Sequence, residues 1–86
     1  MKARMIPYGD KNICGARIES LRKNRGMKQT EMISRMQLMG VDMNPSSYSK
    51  LEGQFRIATD VEILAISRIL KVTVDELLDK NSLASF

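Results

Sequence analysis

NPSSYSKLEG, residues 44–53, has the composition of a polar loop but the capping signals of a helix. Asn44 is a strong N-cap, because its side-chain oxygen accepts from a first-turn N–H, and Pro45 is the residue favoured at the first helical position. Met43 and Tyr48 fall at N′ and N4, the two positions of a hydrophobic staple. The spacing predicts a helix, helix 3, over about 45–52, with Gly53 as the left-handed residue that ends it. Only Tyr48 and Leu51 give this helix an apolar edge, and Pro45, Ser46, Ser49 and Lys50 make up its outward face. Such a short, serine-rich helix is marginal in water, so packing or a ligand must hold it. It is either a short solvated connector or a helix kept polar for a polar partner. In the second case short side chains let its backbone approach a groove, serine hydroxyls reach base edges, and Lys50 donates to guanine O6 or N7.

The flanking sequence predicts four more helices. Residues 1–11 carry Pro7 and Gly9 without periodicity and read as an N-terminal arm that begins to order near Asp10. Cys14, Ile18 and Leu21 then share one face of helix 1, about 12–25, which Gly26 stops. Met32, Ile33 and Met36 line helix 2, Gln29 to Leu38, which has Glu31 in its first turn and a poor cap in Lys28. Thr59-Asp-Val-Glu62 and Thr73-Val-Asp-Glu76 both match the capping box, and Val72 with Leu77 adds a staple to the second. They open helix 4, about 60–70, lined by Ile63, Ile66 and Leu70, and helix 5, about 74–80, anchored by Leu77 and Leu78. The chain therefore reads as an all-α domain over residues 12–80, with a fraying tail at 81–86.

Composition narrows the function. A chain of 86 residues has room for one modest core. The absence of His and the presence of a single Cys remove most metal sites, any His-based acid–base site and any internal disulfide. Cys14 reads as a small core residue in a reducing compartment, the seven methionines as adaptable core filling, and no cofactor is implied. Neither a signal peptide nor a membrane-spanning run is evident, so the expectation is a cytoplasmic protein. The net charge of +4 is uneven: residues 1–56 carry +6 and residues 57–86 carry −2. The basic part would face any polyanion.

GMKQTEMISRM, then NPSSYSKLEGQFR, then TDVEILAISRILKVTVDELL, in this order and spacing, resembles the phage-repressor-like (Cro/C1, XRE-type) helix-turn-helix family over about residues 12–79. The resemblance implies a five-helix lambda-repressor-like DNA-binding domain in which helices 2 and 3 form the helix-turn-helix. It places Pro45, Ser46, Ser49 and Lys50 at bases or the adjacent backbone. It places Gln29 on a phosphate at the start of helix 2, where Lys28 precedes it and free N–H groups favour an anion. Ser47 and the loop residues Gln54 and Arg56 are the further phosphate contacts, and Arg22 with Glu52 is a structural pair tying helix 1 to helix 3. Two departures stand out: residues 37–43 lengthen the turn between helices 2 and 3, and Ile33 replaces a customary alanine. The first implies an extra turn of helix 2, the second looser or shifted packing of helix 2 on helix 3, and both bear on the angle of helix 3.

The implied function is a sequence-specific, repressor-type transcriptional regulator of bacteria or their phages, bound to double-stranded DNA. A homodimer would set two recognition helices on major-groove faces about 34 Å apart. Helix 5 and residues 83–86 are the candidate dimer surface. The alternative is a protein-interaction module, antitoxin-like or an adaptor. An enzyme ranks last, because nothing pairs a nucleophile with a base.

Overall fold

The computed structural model describes residues 7–79, which form five helices and, among the described residues, no strand. They are α1 (Gly15–Asn24), α2 (Gln29–Leu38), α3 (Pro45–Glu52), α4 (Asp60–Leu70) and α5 (Val74–Leu77). Their apolar faces close on one core that runs from Cys14 and Ile18 through Met32 and Met36 to Tyr48, Leu51, Ile66, Leu70 and Leu77. In it α2 packs on both α3 and α4, and α1 packs on α3. No helix among the described residues is long and apolar enough to cross a membrane.

The helix starts follow the capping chemistry. Asn44 Oδ1 accepts from the Ser47 N–H at 2.8 Å, and the staple residues Met43 and Tyr48 are both buried. Thr59 and Glu62 complete a reciprocal box. At α5 only half the box forms: Thr73 Oγ1 accepts from the Glu76 N–H at 3.1 Å. The helix ends at Leu77 rather than 80, leaving Leu78 exposed rather than anchored. The first helix begins at Gly15, three residues later than its periodicity suggests. Asn12 Oδ1 accepts from the N–H groups of Cys14 and Gly15, at 3.1 and 2.8 Å, and so wraps a turn ahead of it.

The long turn between α2 and α3 is packed. Val41 N–H bonds back to Met36 O and Gly40 N–H to Gln37 O, each at 3.0 Å, which is a Schellman ending with Gly40 at φ +84°. That ending buries Val41, and the Gln37 side chain donates to Met43 O at 2.9 Å, strapping the turn to the entry of α3. Ile33 is buried in the same core.

The end of α3 corrects another expectation. Gly53 lies at φ −77°, and Gln54 takes the left-handed position at φ +62°. The bonds Phe55 N–H to Lys50 O, 2.8 Å, and Gln54 N–H to Leu51 O, 3.1 Å, place the Schellman turn one residue later. Gly53 leaves room for the Phe55 ring, which would lie 2.7 Å from a Cβ at that position. Gly15 serves the same end: its Cβ would lie 2.4 Å from Leu51 O, so the backbones of α1 and α3 meet directly. The segment at residues 7–11 is not helical and lies along this junction, with Gly9 N–H on Gly53 O and Lys11 N–H on Gln54 O. Residues 1–6 of the expected arm, the expected tail at 81–86 and the dimer candidates at 83–86 lie outside the described residues.

Candidate functional site

The site is the outward face of α3 and what holds it. Pro45, Ser46, Ser49 and Lys50 are all exposed along one side of the helix, while Tyr48, Leu51 and Glu52 are fully buried on the other. An ionisable residue buried on so short a helix must be compensated, and Glu52 is. Its carboxylate accepts four bonds. Arg22 Nε and Nη2 donate at 2.7 and 3.1 Å, the Tyr48 hydroxyl at 2.5 Å, and Gln29 Nε2 at 3.0 Å. Arg22 Nη1 also donates to Met27 O at 2.7 Å, so one network joins α1, the turn after it, α2 and α3. Burial first, and then the Glu52 carboxylate, push the Tyr48 phenol far above its ordinary range. The tyrosine is therefore a fixed donor. Burial alone would lower the Arg22 guanidinium, but the bonds and charge of Glu52 outweigh it and hold Arg22 in its charged form.

A second clamp holds the start of α3. The Arg56 guanidinium pairs bidentately with Glu62, Nη1 to Oε1 at 2.9 Å and Nη2 to Oε2 at 3.0 Å. Its Nε donates to Ser47 O at 2.9 Å, and Nη1 donates also to Ile57 O at 2.8 Å. Burial would raise the Glu62 carboxyl, but the Arg56 and Thr59 hydrogen bonds outweigh it and hold that carboxyl below its ordinary value.

Three of the residues expected at phosphates take part in bonds within the chain. Gln29 Nε2 donates one bond to Glu52, and Arg56 pairs with Glu62. Gln54 is 4% exposed, because its left-handed backbone turns the side chain inward, where Nε2 donates to Asn12 O at 2.5 Å. All three have intramolecular partners that tie together the elements around α3. Lys28 remains exposed at the start of α2, and it supplies no side-chain cap to the first N–H groups of that helix. Ser47 is partly exposed, with its N–H held by Asn44 and its carbonyl by Arg56.

Sequence reading missed Tyr48 as a polar partner, although its i,i+4 spacing to Glu52 puts both on one face. It also missed Asn12, whose Nδ2 donates to Leu51 O and Arg56 O at 3.0 and 2.9 Å and ties the chain before α1 to the exit of α3. Cys14 is fully buried, and burial pushes its thiol up to about 11. A scan against protein-family models and searches of curated proteins and of solved structures found no significant match.

Proposed function

We propose that this chain is a sequence-specific DNA-binding regulator of the repressor type, in which α2 and α3 act as a helix-turn-helix and α3 enters the major groove. The observation that carries the reading is the division of α3. Its outer side is wholly small or polar and exposed, and its inner side is locked by a carboxylate with four donors. A connector helix needs no such clamp, whereas a helix that reads base edges must be held in register. In this reading Ser46 and Ser49 exchange hydrogen bonds with base edges, Lys50 donates to a guanine, and Pro45 lies against the groove wall. Phosphates are met by Lys28 with the uncapped start of α2, and by Ser47. The resemblance to the Cro/C1 type and the basic excess of residues 1–56 support the same reading.

Affinity for mixed-sequence duplex DNA at two salt concentrations tests it. A DNA-binding protein shows log affinity falling steeply with log salt, and selection from a random duplex pool then returns one preferred site. Absence of duplex binding at low salt would assign the fold to a protein partner.

A further inference from the structure

The exposed face of α4 carries apolar side chains flanked by charges of opposite sign. The exposed residues of this helix are Asp60, Val61, Leu64 and Arg68. At 3.6 residues per turn they fall on a single stripe, and Ile57 in the preceding segment continues it. Ile57 is 72% exposed, Val61 58% and Leu64 45%, so among the described residues these apolar side chains stand uncovered. Arg56 fixes Ile57 in place by donating to its carbonyl.

The ends of the stripe indicate the occupant. Asp60 lies four residues before Leu64 and Arg68 four residues after it. The charges are thus opposite in sign, symmetric about Leu64 and about 12 Å apart along the axis. A parallel copy would set like charges together. An antiparallel copy, related by a two-fold axis through Leu64, sets Asp60 of each chain against Arg68 of the other and Leu64 against Leu64, with Val61 beside it. From this geometry we infer that the α4 stripe is a two-fold self-association surface, an isologous contact with a second copy of this chain. Ile57, Asp60, Val61, Leu64 and Arg68 are far fewer than the roughly 20–30 residues a side of a standard interface, so the dimer is weak and concentration-dependent. The inference rests on α4 alone and not on the reading of α3, and it is tested without DNA.

Sedimentation equilibrium across micromolar to millimolar protein is the measurement, with circular dichroism to verify that each variant is folded. The wild type is expected to dimerise, and Leu64→Asp to weaken dimerisation about tenfold or more by placing like charges at the axis. Asp60→Arg and Arg68→Asp should each be monomeric alone, because each sets like charges together twice. Mixed in equal amounts they should associate again, since both reciprocal pairs are then restored. A wild type that stays monomeric throughout, or a mixture that associates no better than its components, would overturn the inference.

Discussion

The pairs Arg22–Glu52 and Arg56–Glu62 use the same chemistry at opposite ends of α3 under different solvation. At the exit, Glu52 is wholly buried and its carboxylate is shared by three side chains. At the entry, Arg56 keeps 22% and Glu62 12% of their side-chain surface in contact with water. The first pair therefore belongs to the folding core and the second to its rim. A buried charge that loses its partner is stranded in low dielectric, whereas a rim charge regains water. From the sequence, only Arg22–Glu52 is expected as a pair, through the resemblance, whereas Arg56 is assigned to a phosphate because nothing local shows that Glu62 faces it.

Glu52→Gln should therefore have the largest effect, lowering stability by about 3–5 kcal/mol in thermal or urea unfolding, because Arg22 is left uncompensated under α3. Arg56→Met should cost less, about 1–2 kcal/mol, since Glu62 can rehydrate although the bonds to Ser47 O and Ile57 O are lost. Equal losses in the two variants would show that burial does not separate the clamps. Asn44→Ala removes the bond to the Ser47 N–H and should cost about 1 kcal/mol, fraying α3 from the end that Arg56 holds.

Acid titration gives the smallest effect and separates the rim clamp by sign. The folded Glu62 carboxyl lies below its ordinary value of about 4.3, so its ionised form stabilises the fold fully above that value. That stabilisation is lost as pH falls from about 4.3 towards the lower folded value. Glu62→Gln should make unfolding less dependent on pH in that window and leave the slope above pH 6 unchanged. A variant that follows the wild-type curve at acid pH would remove Glu62 from the account.

What was legible in the sequence was local. Asn44-Pro45 and Thr59 with Glu62 state the starts of α3 and α4 through bonds spanning three residues, and the amphipathic spacing of Met32, Ile33 and Met36 states which side of α2 is inside. The exposed side of α3 follows from the same periodicity. Glycine was legible only in part: Gly26 ends α1 in the left-handed region at φ +64°, but Gly53 is small so that Phe55 can lie over it, and Gln54 takes the left-handed backbone. The destinations of Gln29 and Gln54 were not legible. Their partners, Glu52 and Asn12, lie 23 and 42 residues away in sequence, and an amide suits a phosphate as well as it suits a carboxylate or a carbonyl.

The central claim is that the outer face of α3 reads DNA while its inner face only holds it. Measuring Lys50→Ala on the selected site, on single-base variants of that site and on mixed-sequence duplex tests this directly. The account predicts a loss of about 1–3 kcal/mol on the preferred site, relaxed preference at one base pair and a smaller change on mixed sequence. A uniform loss on every duplex together with a flatter salt dependence would make Lys50 a phosphate contact and contradict the assignment.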